Sequence, residues 1–306
     1  MIVNDKNNNN KKNILELLKQ QVKIIDGAMG TMLQSNGLKA SDCPEMWNIN
    51  HAHVVQQIHY DYLKAGADII LTNTFGANGI KLRKFDQEER ITEINQQAIQ
   101  LACKALDDYQ KKEKNDRFLA VSIGPTGDIL EPYGTRKKDD AYQGYQNQVK
   151  AINETLVDMI ILETFYNLDE IKIALRAVKE NSHLPVFASM SFDKSLKTIY
   201  GISPEIAVET LLEEGADGIG ANCGGGPEIL YDVMIKMRPI TDAPLLVEPN
   251  AGMPYLKNNQ VIYPASPQKM AEYANQFKQL GINMIGGCCG TTPEHIKAMV
   301  LKIREK

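Results

Sequence analysis

Three cysteines stand where they could act together on one substrate. Cys288 and Cys289 are adjacent within a glycine-rich segment, after a short apolar run and before a proline that could begin a helix. Cys223 follows another apolar run and also precedes glycines and a proline. Thiolates are common zinc ligands, and a zinc ion with three protein ligands keeps a fourth position open for catalysis. The three cysteines are therefore candidate ligands of one catalytic zinc ion.

The chemistry of such a site follows from its charge. Three thiolates give the zinc centre a net negative charge, which makes it poor at generating hydroxide but suited to holding a substrate thiol as a nucleophilic thiolate. The His-Glu-x-x-His motif of zinc hydrolases is absent. Cys223 and Cys288 are 65 residues apart, so no short spacing rule applies to them. A disulfide between the adjacent cysteines, or three unrelated thiols, is the alternative interpretation.

The elements that would position these cysteines are eight short apolar runs separated by longer amphipathic stretches. The runs are rich in Val, Ile, Leu and Ala without polar alternation, as in strands buried on both faces. Four of the amphipathic stretches begin at proline, a helix-start signal. The pattern predicts an α/β fold, a single-domain (β/α)8 TIM barrel over residues 14–306. The predicted strands are Val22–Asp26, Asp68–Thr72, Phe118–Ile123, Val157–Glu163, Pro185–Met190, Asp217–Asn222, Ala243–Glu248 and Ile282–Gly286.

Active sites of such barrels lie at the C-terminal ends of the strands. Polar residues and the three cysteines occur at those ends, and we expect them to converge there. A doubly wound sheet is the main alternative fold, but the segment after the first strand, Asp26-Gly27-Ala28-Met29-Gly30, matches a dinucleotide-binding fingerprint poorly. Among the other candidates, we expect Cys103 to be buried on a helix, His295 to lie on the surface, and the charged stretch Lys81–Arg90 to be solvated.

Composition excludes several classes of partner. The 34 basic and 38 acidic residues give a net charge of −4, which argues against nucleic-acid partners and anionic membranes. No apolar run approaches the ~20 residues of a membrane span. Residues 1–13 form a polar, Asn-rich stretch that we expect to be a disordered tail. Five cysteines without an export signal predict a cytoplasmic protein without structural disulfides.

Six segments, in order along the chain, resemble the zinc-dependent homocysteine S-methyltransferase family, and the likeness extends from about Ile14 to Lys306. Two of them are similar to the homocysteine-binding domain of cobalamin-dependent methionine synthase: Asn73-Thr74-Phe75 and Glu248-Pro249-Asn250-Ala251-Gly252. The six segments are Asp26–Thr31, Thr72–Ala77, Ile123–Gly127, Leu162–Phe165, Val247–Gly252 and Gly286–Pro293.

The resemblance implies a TIM barrel in which Cys223, Cys288 and Cys289 bind one Zn²⁺ per chain and homocysteine is the methyl acceptor. It implies that the amides of Gly27 and Ala28 bind the amino acid carboxylate. Backbone N–H groups bind anions well.

Three further residues are given roles by the resemblance. Asp26 and Glu163 would lie near the substrate ammonium, and Asn250 would line the zinc pocket as a weak ligand when substrate is absent. The alternatives are a turn-stabilising role for Asp26, an interior residue bonded to its neighbours for Glu163, and support of the metal ligands for Asn250.

The methyl donor is the least determined part of the reaction. The sequence holds no Asp-x-His-x-x-Gly motif of a cobalamin-carrying domain, so we expect methylcobalamin to arrive on a separate corrinoid-carrying protein. Small donors such as S-methylmethionine or betaine are the alternative, although the first strand of those branches usually ends in Asp-Gly-Gly and Ala28 departs from that pattern. A third interpretation is a non-catalytic zinc-bearing subunit.

Overall fold

The computed structural model describes residues 14–113, 115–257 and 260–305, so the expected tail at residues 1–13 lies outside the described residues. Eight parallel strands form one sheet whose order is β1-β10-β7-β6-β5-β4-β3-β2. A parallel bridge between Ile25 and Ile69 joins the two outer strands and closes the barrel. The predicted (β/α)8 barrel is confirmed. Its strands are β1 Lys23–Ile24, β2 Ile69–Leu71, β3 Phe118–Ile123, β4 Met159–Phe165, β5 Val186–Met190, β6 Gly218–Asn222, β7 Leu245–Glu248 and β10 Met284–Ile285.

Helices follow the strands and cover the outside of the barrel. Four of them begin at the expected prolines, and Ser203 and Ser266 cap two of these with side-chain hydrogen bonds. The helices are α1 Ile14–Leu18, α2 Met29–Ser35, α3 Trp47–Asn50, α4 Ala52–Ala65, α5 Gly79–Leu82, α6 Ile91–Gln110, α7 Lys138–Lys150, α8 Leu168–Asn181, α9 Pro204–Glu213, α10 Pro227–Met237, α11 Pro267–Gln279 and α12 Pro293–Arg304.

The interior of the barrel changes character along its axis. Side chains of a strand point alternately in and out, and at the N-terminal ends the inward positions hold apolar residues such as Phe118, Met159 and Phe187. Helix α1 closes this end because Ile14 and Leu18 pack into the same cluster. The half of the barrel at the N-terminal strand ends, called the lower half below, is therefore filled with apolar side chains.

The same alternation reaches polar residues at the C-terminal ends. Two residues beyond an inward apolar position, β3 carries Ser122, β4 carries Glu163 and β7 carries Glu248. An antiparallel hairpin, β8 Tyr255–Lys257 paired with β9 Gln260–Ile262, is inserted after β7 at this end. The C-terminal mouth thus combines polar strand ends with long loops.

Two expectations about single residues were wrong. His295 is buried, because its ring lies in a capping box with Thr292 and its Nε2 is 3.0 Å from the carbonyl oxygen of Ala265. Cys103 lies on α6 as expected but is only partly buried, since it is at the edge of the core rather than within it. Within the described residues, no helix combines the length and the apolar character that crossing a bilayer requires.

Gly218 tests the packing of the barrel interior. A Cβ at this position would overlap the Phe187 ring, so Gly218→Ala should destabilise the fold by about 1–3 kcal/mol. Gly30→Ala, where a Cβ meets no atom within 4 Å, is the matched control and should be neutral or stabilising by up to about 1 kcal/mol. Urea denaturation measures both, and equal stabilities for the two variants would contradict the packing argument.

Candidate active site

The three cysteines converge at the mouth of the barrel. Cys223 follows β6, and Cys288 and Cys289 follow β10. Their sulfur atoms all lie within 4.8 Å of one another, and the Cys288 and Cys289 sulfurs are 4.0 Å apart. All five cysteines of the chain are free thiols. The geometry therefore joins the three cysteines into one cluster and excludes the disulfide alternative for this structure.

Unusual backbone at Cys223 brings its sulfur into the cluster. Cys223 adopts a left-handed φ of 56°, and Gly224 follows with φ 65°. Such a conformation is costly for a residue with a side chain and persists only where the surroundings impose it. A Cβ at Gly224 would overlap the carbonyl of Phe192. The glycine after the cysteine is therefore required by close backbone approach.

Backbone hydrogen bonds tie the two cysteine-bearing loops to the loop after β7. Cys288 N–H donates to the Pro249 carbonyl at 2.9 Å, and Ala251 N–H donates to the Cys289 carbonyl at 2.9 Å. Cys223 N–H donates to the Glu248 carbonyl at 3.0 Å. The sulfur positions are thus fixed by a continuous network rather than by flexible loops.

The donor set fits a metal ion. Hydrogen bonds from the Cys288 and Cys289 thiols lower the pKa of Cys223 to about 3, and the bond to Cys223 raises the pKa of Cys288 well above its usual range. The three thiols are therefore electrostatically coupled to one another. Beside them, the buried side-chain oxygen of Asn250 has no hydrogen-bond partner within the described residues. Three thiols and an unpartnered oxygen are a suitable ligand set for zinc.

Three carboxyl groups face one another next to the cysteines. Burial raises the pKa of Glu163 to about 7, and burial together with the charges of Glu163 and Asp26 raises the pKa of Glu248 well above its usual value. The pKa of Asp26 is raised for the same reasons. One Glu248 oxygen is buried without a partner, and no ion pair of the described residues includes any of the three. The Lys81 ammonium interacts electrostatically with Glu163 without forming an ion pair, so no cation of the described residues contacts the three buried carboxyls directly.

The Asn222 side chain connects the carboxylates to the cysteines. Its amide donates to Thr164 Oγ1 at 2.7 Å and to Glu163 Oε2 at 3.4 Å, and it lies 4.0 Å from the Cys288 sulfur. Its oxygen accepts from the Thr164 N–H and the Ser189 hydroxyl, both at 2.8 Å. Asn222 is fully buried, so it fixes the distance between the two clusters.

The turn after β1 differs from expectation in one respect. The Ala28 N–H donates to Thr291 Oγ1 at 3.0 Å, and that hydroxyl donates to the Cys288 carbonyl. The Gly27 N–H has no acceptor among the described residues. A Cβ on Gly27 would lie 2.7 Å from Thr291 Oγ1 and 2.9 Å from the Tyr62 ring, so glycine is required here. The turn is thereby locked to the loop that bears Cys288.

The sequence interpretation did not identify several residues of the mouth. Asn222 and Glu248 were placed at the strand ends without a role, and Ser122, whose hydroxyl donates to Glu163, was missed although the alternation of inward positions along β3 indicates it. Lys81 was assigned to a solvated stretch, but it is partly buried with its ammonium 4.1 Å from the centre of the Phe75 ring. Burial lowers the Lys81 pKa. No sequence pattern indicated that contact.

Comparison with known proteins gives the family. Residues 23–303 match the family model described as homocysteine S-methyltransferase. The chain belongs to this family. Methionine synthases of Mycobacterium tuberculosis and Mycobacterium leprae are 32% and 31% identical to it over 302 residues, which is 95% of this chain. The family member described here spans about a quarter of the length of those relatives.

Solved structures agree with the fold of this family member. The oxidised form of the homocysteine methyltransferase MmuM from Escherichia coli superposes with a TM-score of 0.81 at 22% identity, and its metallated form with 0.79 at 23%. Each comparison covers 95% of this chain and all of the other. At such low identity the likeness establishes the barrel alone.

The carboxyl cluster should make stability depend on pH. Because the Glu163 pKa of about 7 lies above its usual 4.5, the folded chain binds an extra proton between these values, and stability falls as pH rises through that range. Glu163→Gln removes this loss. We expect the metal-free, substrate-free variant to exceed the wild type by about 1–3 kcal/mol at pH 8 and by much less at pH 5.

Chemical denaturation across pH 5–8 measures this difference. Glu228→Gln is the matched control, because Glu228 is exposed and its pKa is lowered, on balance, by an ion pair with Lys269 despite partial desolvation. This variant should show no gain at high pH. Parallel stability curves for Glu163→Gln and the wild type would contradict the assigned shift.

Proposed function

We propose that this chain catalyses zinc-dependent methyl transfer to the thiol of homocysteine, giving methionine, with a methylcorrinoid on a separate protein as the donor. The observation that carries the proposal is that the cysteine cluster and the carboxyl cluster lie side by side, connected by the Asn222 side chain. One cluster offers sulfur ligands to a metal, and the other holds three buried carboxyls that form no ion pair among the described residues. An amino acid bearing a thiol meets both at once.

The amino acid end of homocysteine fits the carboxyl cluster. An ammonium group between Asp26, Glu163 and Glu248 would supply the missing positive charge and lower the pKa of all three carboxyls. The free Gly27 N–H is an available donor to the substrate carboxylate. For the Ala28 N–H to join it, that N–H would have to give up its bond to Thr291.

The sulfur end fits the cysteine cluster. Cys223, Cys288 and Cys289 would hold Zn²⁺, and the unpartnered Asn250 oxygen would be the group that the substrate displaces. Bound zinc would lower the pKa of a coordinated thiol while its sulfur remains nucleophilic. That the E. coli MmuM exists in a metallated form supports a metal on this fold. The buried Asn222 amide would hold the two clusters at a fixed separation, so that the sulfur and the ammonium of one substrate could reach both.

Exposed apolar side chains at the mouth support a macromolecular donor. Within the described residues, eight large apolar side chains are exposed on loops that follow β3, β5 and β7. Exposed apolar groups around one opening are a feature of interaction surfaces, and a protein partner is the occupant that we propose. We call these eight residues the apolar rim: Ile129, Tyr133, Ile199, Tyr200, Met253, Tyr255, Leu256 and Val261.

Zinc content tests the metal site directly. The purified chain should hold one zinc ion, and Cys288→Ser should weaken zinc binding by more than about 100-fold, because loss of a supporting partner alone costs about 10–100-fold. Cys103→Ser, which changes a thiol outside the cluster, should keep the full zinc content. A chromogenic chelator titration measures both. Retention of zinc by Cys288→Ser would contradict the assignment.

Donor specificity tests the proposed reaction. The zinc-loaded chain is given homocysteine together with S-methylmethionine, with betaine, or with a methylated corrinoid protein, and methionine is measured. We expect turnover with the corrinoid protein alone. Turnover with either small donor would overturn the proposed donor, and none with any donor would favour a non-catalytic zinc-bearing subunit.

A variant in the apolar rim tests where the donor protein docks. Leu256, on β8, is 76% exposed, and Leu256→Asp should raise the KM for the corrinoid protein roughly tenfold, as expected for loss of an interface anchor. Zinc content and homocysteine binding should not change. Leu301→Asp, at an exposed position on α12, is the matched control. Equal KM values for both variants would exclude the rim as the docking surface.

A further inference from the structure

A second polar cleft lies at the opposite end of the barrel from the cysteines. It has a volume of about 690 Å³ and is bordered by the segment after α1, the start of β1, the residues before β3 and the end of α12. Basic side chains outnumber acidic ones among the residues that line it. The basic residues are Lys19, Lys23, Arg117, Lys278 and Arg304, and the acidic ones are Asp68 and Asp116.

Both carboxylate oxygens of Asp68 already accept hydrogen bonds in this cleft. One of its oxygens accepts hydrogen bonds from Arg117 at 3.0 Å and from Arg304 at 2.9 Å. The other oxygen accepts from the Ile24 N–H at 2.9 Å. Two guanidinium groups therefore share one carboxylate oxygen, and their combined charge exceeds that of their partner.

Lys23 adds a third cation beside this pair. Its side chain is buried, with the ammonium 5.5 Å above the centre of the Phe118 ring. Among the described residues Lys23 forms no ion pair. Burial lowers its pKa; the negative charges of Asp68 and Asp116 oppose that shift, and the positive charges of Arg117 and Arg304 add to it. A buried cation beside two others is costly unless an anion joins them.

Arg117 supplies an independent sign of a ligand. Its side chain is 5% exposed, yet its Nε–H has no acceptor within the described residues. Buried donors are nearly always satisfied. Its two Nη groups donate to Asp68, to the Asp116 carbonyl and to the Tyr109 hydroxyl, which leaves the Nε–H as the donor for an oxyanion.

We propose that this cleft binds the phosphate group of a small phosphorylated molecule through Lys23, Arg117 and Arg304. A phosphate carries up to two negative charges and several acceptor oxygens, which match the excess cations and the free Nε–H. The cleft is larger than inorganic phosphate requires and falls in the size range of metabolite sites. The ligand would join β1, β3 and α12 at the face that α1 closes.

Thermal unfolding tests the site without reference to methyl transfer. The purified chain is titrated with inorganic phosphate, with pyrophosphate, or with a phosphate monoester such as glycerol phosphate, at an ionic strength held constant with sodium chloride. We expect a saturable Tm increase of about 3–8 °C. A response to inorganic phosphate and to the monoester alike assigns the phosphate group as the recognised part, and a larger response to the monoester assigns the esters as ligands.

Matched variants make the test specific. Lys23→Gln leaves the hydrogen bonds from Arg117 and Arg304 to Asp68 in place. It should weaken phosphate binding by at least about tenfold, the cost of one charge-assisted hydrogen bond. Lys302→Gln removes the same charge from α12 outside the cleft and should bind as the wild type does. If Lys23→Gln fails to fold, Arg304→Gln, whose side chain is half exposed, replaces it.

Three outcomes would overturn the proposal: no saturable shift with any phosphate, an equal shift with chloride alone, or equal affinities for Lys23→Gln and Lys302→Gln. Methyl transfer and zinc content are measured on the same samples. Because neither depends on this cleft, a failure of the phosphate site and a failure of the proposed reaction are distinguishable.

Discussion

The buried Asn222 amide is the interaction on which the geometry of the mouth depends. It takes bonds from β4 and β5 and directs its own donors toward a carboxylate and a sulfur. A buried amide has a limited number of acceptors and donors, and when all are used its orientation is fixed. The carboxyl cluster and the cysteine cluster are therefore held at a set separation before any substrate binds. Pre-positioning of this kind reduces the ordering cost of binding.

Several groups at the C-terminal mouth of the barrel lower the stability of the free protein. Three carboxyls with raised pKa values, a cysteine in a left-handed conformation and an unpartnered Asn250 oxygen all cost stability in the free protein. The apolar lower half of the barrel compensates for them, with ring and aliphatic side chains closed off by α1. Such a division is expected when a site must bind a charged substrate, because the unmet interactions become available to that substrate.

Sequence reasoning succeeded where backbone periodicity decides the outcome. The apolar runs located the eight strands to within about two residues at each end, the prolines located the starts of four helices, and the cysteines converge as their strand positions required. It failed where a side chain's partner comes from a distant element. His295 is buried against the Ala265 carbonyl thirty residues away, and Lys81 lies against the Phe75 ring rather than in solvent. Neither of these contacts has a local pattern, so only the folded structure reveals them.

The two ends of the barrel carry charged groups of opposite sign, and we therefore propose different ligands for them. At the mouth, three buried carboxyls lie beside three thiols; at the closed end, five basic and two acidic residues line one cleft. Both groups of charged side chains lie at strand ends, outside the apolar interior of the barrel. The apolar cluster of Phe118, Met159 and Phe187 lies between them. This apolar cluster separates the charged groups of the two ends, so each end can bind its own ligand.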